Sequence, residues 1–351
     1  MSYTCRILAI DGGGIRGIIP AYILSQIEAA LGTPIYQSFD IIAGTSTGGL
    51  IALALTTPFA GNNNAPYSAS SVLNLYMNDE SDIFKKQSNG DGMESKYFSI
   101  STWLQGILGP VTLSQAQQQL KSLGNPTPTQ VLTTCYTING ASGINIGPYL
   151  FNWQDAANSS ADDYCVWEAA LATSSAPTYF PVAQVGAGVS NGSSATNRWA
   201  ADGGVVANNP ALYAIAWAFK LGLAATLSDV LVVSMGTGIY NAGIQIINGG
   251  NWGSIEWGAG FDTNNNPTSP LLDVLTMSNV LSPDQQLQLI IPQGGYYRLE
   301  PVLTSAESSM DGTDTKELLA TATQYIASGG AGYGIYQNVL ASLTAARQQA
   351  A

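Results

Sequence analysis

Residues 7–24 read ILAIDGGGIRGIIPAYIL. The segment Arg6–Ile10 is short and mostly apolar, and it stops at Asp11 and three consecutive glycines. That is the signature of a buried strand feeding a tight turn. A helix is expected to follow, because Ile19, Ile23, Ile27 and Leu31 recur every four residues. Pro20 suits its first turn, and Gly32 is a natural stop. The pattern then repeats. Phe39–Ala43 is a second apolar strand, Gly44-Thr45-Ser46-Thr47-Gly48-Gly49 is a second glycine turn, and the apolar run LIALAL continues as a buried helix. Strand–turn–helix twice in succession predicts an α/β fold with parallel strands.

Further along, the spacing predicts a loop over Pro58–Ser71, a strand over Val131–Ile138 and a short helix over Glu168–Ser175, ended before Pro177. Val185–Asn197 is rich in Gly, Ser and Asn and reads as a loop. It leads into RWAADGG, a short strand ending in Asp202 and two glycines. Asn209-Pro210 resembles an N-cap and first helical position for ALYAIAWAFKLGL, and Asp229–Gly238 is a further strand with a glycine turn. The pattern loosens from Ile239 through Ser269. The chain from 270 to 351 alternates helical patterns with glycine turns. With no internal repeat and no linker, residues 1–351 are expected to form one domain. Its motif-bearing core spans about 5–240, and 241–351 complete it.

The net charge is −12, and the basic residues never cluster beyond Lys85-Lys86. Nucleic-acid binding is therefore not expected, since it rests on neutralising phosphates. No run of about 18 uninterrupted apolar residues predicts a spanning helix. The N-terminal stretch lacks a basic region and a cleavage site, so no secretory signal is expected. Cys5, Cys135 and Cys165 are an odd set without close spacing. That argues against a disulfide framework or a zinc site and suits a reducing compartment. A cytoplasmic protein, or one peripheral at a membrane, is the expectation. The acidic groups Asp79-Glu80-Asp82 and Asp162-Asp163 are expected to be solvated faces. No metal site is expected, because no EF-hand spacing is present.

The composition contains no histidine. Every Ser-His-Asp, Cys-His or histidine–metal mechanism within the chain is excluded, and a general base must be Asp, Glu, Lys, Tyr or Cys. Gly44-Thr45-Ser46-Thr47-Gly48 fits G-x-S-x-G between a strand and a helix, the setting of a nucleophile elbow. The plainer reading is a glycine-rich turn whose serine caps the helix. Gly12, Gly14 and Gly17 make a G-x-G-x-x-G with three readings. As a dinucleotide loop it would need an acidic residue ending the next strand, and Asp40 instead starts that strand. As a sugar-kinase phosphate loop it would continue with Thr or Ser, where Ile15-Arg16 follows. As an oxyanion hole, its N–H groups would lie at the same sheet edge as Ser46, and glycines would let the intermediate approach. With histidine absent, Asp202 is the candidate base for Ser46. Its alternative is an ordinary turn aspartate before Gly203-Gly204. Burial would raise its carboxyl toward the range a base needs.

These residues carry a resemblance. DGGGIRG (Asp11–Gly17), GTSTGG (Gly44–Gly49) and DGG (Asp202–Gly204), in that order, resemble the patatin-like phospholipase family. ATSSAPTYFP (Ala172–Pro181), ANNPAL (Ala207–Leu212) and SMGTG (Ser234–Gly238) agree, and YYRLEP (Tyr296–Pro301) and MDGTD (Met310–Asp314) extend it more loosely. The resemblance implies a patatin-like three-layer sandwich, with a mostly parallel central sheet flanked by helices on both faces. It implies a lipid acyl hydrolase with Ser46 as nucleophile, Asp202 as base and oxyanion N–H groups from Gly12, Gly13 and Gly14. No metal or organic cofactor is implied. The implied substrate is a lipid at a membrane or micelle surface, and the family includes members switched on by a partner. Gly204 stands where alanine is frequent in the family. Arg16 has two roles open to it, contact with a lipid phosphate or support of its own loop through backbone carbonyls. A sugar kinase, or a binding or storage protein on a hydrolase scaffold, is the alternative function.

Overall fold

The computed structural model describes residues 3–59, 61, 64–87, 94–123, 129–189, 194–241, 243–244, 246, 250–261, 267–312 and 314–350. β1 (Cys5–Ile10) runs into the glycine loop as expected. The chain then takes one 3₁₀ turn, Gly14–Gly17, before α1 (Ile18–Leu31) begins. Gly32 ends α1 in the left-handed region at φ 62°, and its N–H donates to the Glu28 carbonyl at 3.0 Å. This is the glycine stop that lets a helix reverse without Cβ strain. β2 (Ile41–Gly44) leads through the serine turn into α2 (Thr47–Ala54). The loop expected over Pro58–Ser71 loses its last residues to α3 (Ala69–Asn78), because Ser68 caps that helix by accepting the Ser71 N–H at 3.1 Å.

β3 (Gln130–Gly140), β4 (Gly147–Asn152), α4 (Val166–Ser174), β5 (Ala183–Val185) and β6 (Arg198–Asp202) follow. α5 (Ala211–Lys220) opens beside Asn209, whose Oδ1 accepts the Ala211 N–H at 3.0 Å. β7 (Val230–Met235), α6 (Pro270–Ile290), β8 (Tyr296–Leu299), α7 (Thr315–Ile326) and α8 (Tyr333–Ala350) follow, with further helices between these elements. The Gly/Ser/Asn-rich stretch Val185–Asn197 lies partly outside the described residues, at 190–193.

The eight strands form one mixed, mostly parallel sheet in the order β8-β7-β1-β2-β3-β6-β5, with β4 on β3. Strand residues alternate between two apolar clusters, as a period of two requires. Leu8, Ile10, Ile42, Val233 and Met235 pack with Ile19 and Ile23 of α1 and Leu343 of α8. Ile7, Ala9, Ile41, Ala43 and Val232 pack with Ala214 and Trp217 of α5 and Leu287 of α6. Helices therefore cover both faces, which is why the central strands read as continuous apolar runs. Each fully buried isoleucine, such as Ile7 or Ile23, contributes about 1.5–3 kcal/mol.

One feature of the topology departs from a simple parallel sheet. β2 pairs in parallel with the first part of β3, Gly44 opposite Thr133, whereas β6 pairs antiparallel with the later part, Asp202 opposite Cys135. β4 pairs with both Leu132 and Cys135. Because a strand has two edges, β2 and β6 must share the edge of β3 that β4 leaves free. They approach head to head and their C-terminal ends meet at Thr134. The length of β3 thus brings the turn after β2 against the turn after β6. Among the described residues, no helix is long and apolar enough to cross a membrane.

Candidate active site

Ser46 sits in the turn between β2 and α2 at φ 53°, ψ −125°, a conformation a non-glycine residue rarely adopts. The surroundings impose it. A Cβ on Gly44 would collide with the Gly48 carbonyl, and one on Gly48 with the Ile10 carbonyl. Both obstacles are backbone, so the glycines permit a turn too sharp for other residues. Gly48→Ala is expected to destabilise the protein by about 3 kcal/mol; a chemical-denaturation midpoint equal to wild type would contradict this. Ser46 makes no side-chain capping bond to α2, so the plainer reading of the turn does not hold. Its N–H donates to Thr173 Oγ1 at 2.9 Å.

Asp202 ends β6 with only 4% of its surface exposed. Its Oδ1 accepts the Gly204 N–H at 2.7 Å, and it lines one cavity with Ser46. Burial pushes the carboxyl up to about 7, and the bonds from Ser46 and Gly204 hold back part of that rise. Thr173 joins the two turns, since its hydroxyl takes the Ser46 N–H and its carbonyl the Gly203 N–H at 3.3 Å. Thr45 Oγ1 bonds Thr134 Oγ1 at 2.8 Å and donates to the Ala207 carbonyl at 2.6 Å, fixing the junction where β2 and β6 meet. A Cβ on Gly204 would stand 3.1 Å from Asp202 Oδ1, so the glycine leaves the carboxyl slack that alanine would remove.

The glycine loop lies on the other side of Ser46. A Cβ on Gly12 would come 3.0 Å from Ser46 Cβ, which places the loop in contact with the serine turn. The three glycines are not equivalent, and here the expectation needs correcting. The Gly12 N–H is already donated to the Asn208 carbonyl at 3.2 Å. The N–H groups of Gly13 and Gly14 have no hydrogen-bond partner among the described residues. Two of the three glycines, Gly13 and Gly14, line a cavity together with Ser46 and Asp202.

Arg16 turns back onto its own loop, with Nε donating to the Gly13 carbonyl at 3.3 Å and Nη1 to the Gly238 carbonyl at 3.4 Å. Burial lowers its guanidinium from the usual value, and Glu300, Tyr179 and Asp11 offset part of that. Loop support is the role the contacts describe, although Arg16 also borders the cavity. The rest of the lining is largely apolar, with Leu50, Ile83, Ile100 and the packed aromatic pair Phe84 and Phe180, whose centroids are 5.9 Å apart.

The dinucleotide reading fails on geometry. Asp40 stands at the start of β2, where its Oδ1 pairs with Arg6 at 2.8 Å, across the sheet from the loop. Several acidic residues expected as solvated faces are instead bonded. Asp79 accepts from Trp103 Nε1 at 2.9 Å, Asp162 from the Tyr149 hydroxyl at 2.8 Å, and Asp163 from the Ser114 N–H at 2.9 Å. Buried or half-buried donors need acceptors, and sequence spacing could not show which were near. Among the described residues, no cluster of His, Cys, Asp or Glu could hold a metal. The residues that reasoning from sequence missed are Thr173, Asn208, Thr237 and Arg298. All four lie in the stretches ATSSAPTYFP, ANNPAL, SMGTG and YYRLEP, which were noted for resemblance but given no role.

The fold and these contacts define a class: an α/β protein in which a strained serine turn, a buried carboxyl and a donor-rich glycine loop share one apolar cavity. The sequence model described as Patatin-like phospholipase matches residues 8–215, and the chain belongs to that family, one of lipid acyl hydrolases. Patatin-like protein 2 of Arabidopsis thaliana is 30% identical over 87% of this chain and 78% of its own. "Probable inactive patatin-3-Kuras 1" of Solanum tuberosum is 27% identical over 89% of this chain and 83% of its own. VipD from Legionella pneumophila is similar with a TM-score of 0.44 at 13% identity, over 91% of this chain and 67% of that one. A relative named as inactive shows that membership alone does not settle activity, so the site must carry that argument.

Proposed function

We propose that this protein is a serine hydrolase that cleaves carboxylic esters of lipids through Ser46 and Asp202, without a metal or organic cofactor. The observation that carries the reading is Ser46, held at φ 53° in one cavity with the buried Asp202 carboxyl, which the nearby serine hydroxyl helps keep ionised. Asp202 takes the Ser46 proton as Oγ attacks the acyl carbonyl. The N–H groups of Gly13 and Gly14 donate to the developing oxyanion. The proton passes to the leaving alcohol as the carbonyl re-forms. Water, deprotonated by Asp202, then attacks the acyl-enzyme, and the fatty acid leaves as the proton returns to Ser46. The lining by Leu50, Ile83, Phe84, Ile100 and Phe180 supports an acyl chain as occupant.

A carboxylate with its pKa near 3.8 would be a poor base at neutral pH, and burial of Asp202 removes most of that mismatch. Only the ionised form accepts the proton. For a water-soluble short-chain ester, kcat/KM is therefore expected to rise with pH and level off with an apparent pKa of about 7. A flat profile from pH 5 to 9 would count against Asp202. The identity of the substrate is tested by mass spectrometry of products from a lipid mixture, comparing wild type with Ser46→Ala. Free fatty acid and lysolipid released only by wild type support the reading. The same products from both would refute it. The substrate is expected to be presented at a membrane or micelle surface.

A further inference from the structure

The donor N–H groups of Gly13 and Gly14 are aimed by what holds the carbonyls behind them. A trans peptide is planar, so its C=O and N–H point in opposite directions and fixing one fixes the other. The Gly13 N–H belongs to the same peptide as the Gly12 carbonyl. That carbonyl accepts the Thr237 hydroxyl at 2.8 Å and, more weakly, Asn208 Nδ2 at 3.5 Å. The Gly14 N–H belongs to the peptide of the Gly13 carbonyl, which takes the Arg16 N–H at 3.2 Å and Arg16 Nε at 3.3 Å. Both donor peptides are thus anchored by their oxygens, and Gly13 and Gly14 line the cavity.

Thr237 is itself held. It follows β7 in Gly236-Thr237-Gly238, and the Gly238 N–H donates to Glu300 Oε1 at 2.6 Å. A Cβ on Gly236 would collide with that same carboxylate. Glu300 pairs with Arg298 of β8, whose Nη2 also meets Asp11 Oδ2 at 2.6 Å and whose Nη1 donates to Ser234 Oγ at 2.8 Å. Asp11 is the residue immediately before the glycines and is 1% exposed. A single buried ionic link therefore fixes the start of the loop and the turn that carries Thr237. All of these anchors except Asp11, Arg16 and Asn208 lie beyond the matched family segment 8–215.

We infer that Thr237 is a positioning residue for the oxyanion donors, its hydroxyl orienting the Gly12–Gly13 peptide, and that the Arg298–Glu300 pair holds Thr237 in register with Asp11. This rests on the reading of Ser46 as an acylated nucleophile. Thr237 is buried and packs against Gly13, so a purely structural role would be moved by loss of bulk and not by loss of the hydroxyl alone. The test uses Thr237→Val, which keeps the β-branched shape and removes the hydrogen bond, and Thr237→Ser, which keeps the bond and removes a methyl group.

With a soluble short-chain ester, Thr237→Val is expected to lower kcat by about 10- to 100-fold with KM within about twofold. Its affinity for a trifluoromethyl ketone, which mimics the tetrahedral adduct, should weaken by a similar factor. Thr237→Ser should recover most of the rate. A crystal structure of Thr237→Val should show the Gly12–Gly13 peptide rotated from its wild-type plane. An unrotated peptide with wild-type kcat overturns the inference, as does a Thr237→Ser variant as slow as Thr237→Val. A wild-type protein that turns over no ester and leaves Ser46 unreactive overturns the hydrolase reading, and this inference with it. That outcome is distinguished from failure of the inference alone, in which wild type is active and Thr237→Val equals it.

Discussion

Ser46→Ala is expected to reduce ester turnover by on the order of 10⁴-fold or more while the fold persists. The substitution removes the hydroxyl beside Asp202 and leaves the buried carboxyl its bond from the Gly204 N–H. Alanine at φ 53° keeps the backbone strain of the serine turn, which costs about 1–3 kcal/mol at such positions. Glycine relieves it. Ser46→Gly should therefore be equally inactive yet melt at a higher temperature than Ser46→Ala. Calorimetry of the two variants beside activity assays checks both halves. Residual turnover near the wild-type level in either variant would remove Ser46 from the mechanism. Equal melting temperatures would mean that the strain has been relaxed elsewhere.

Asp202→Asn is expected to lower turnover by about 10³-fold or more, because asparagine cannot accept the serine proton. Its effect on stability should grow as the pH rises. In the folded chain the Asp202 carboxyl sits at about 7 against an ordinary 3.8, so between those values the folded state holds a proton that the unfolded state has lost. Protonation of Asp202 favours folding fully below pH about 4. That contribution fades as the pH rises through about 7. The difference corresponds to at most about 4 kcal/mol. Asparagine carries no charge to desolvate. The variant should match wild type at pH 5 more closely than at pH 8, where it should be the more stable of the two. A gap that stays constant between those pH values would show that Asp202 does not titrate in this range.

The first sixty residues were the most legible part of the chain, because two strand–glycine–helix units carry their own punctuation. Ile19, Ile23 and Ile27 fell on the buried face of α1, and Gly32 ended it. The nearness of Ser46 to Asp202 was legible only as two motifs far apart in sequence. What joins them is the length of β3 and the reversed direction of β6, and no local pattern encodes the partner of a strand. The same limit explains Gly12. Its residue type suited a donor, but whether its N–H is free depends on Asn208, which folds in from 196 residues away. Thr237, Arg298 and Glu300 escaped notice for the same reason, since their importance lies in which backbone oxygen or carboxyl they meet. Arg16 meets the carbonyls of Gly13 and Gly238, and no local pattern encodes the second of these partners.

A family that contains a relative named as inactive makes reactivity of the serine the decisive property. The most direct measurement is mass spectrometry of the protein after reaction with a fluorophosphonate at pH 8, with the modified peptide mapped by fragmentation. The account predicts one adduct, on Ser46, formed rapidly in wild type, slowed strongly in Asp202→Asn and absent in Ser46→Ala. A wild-type protein that remains unmodified, an adduct on another serine, or labelling of Asp202→Asn at the wild-type rate would contradict it.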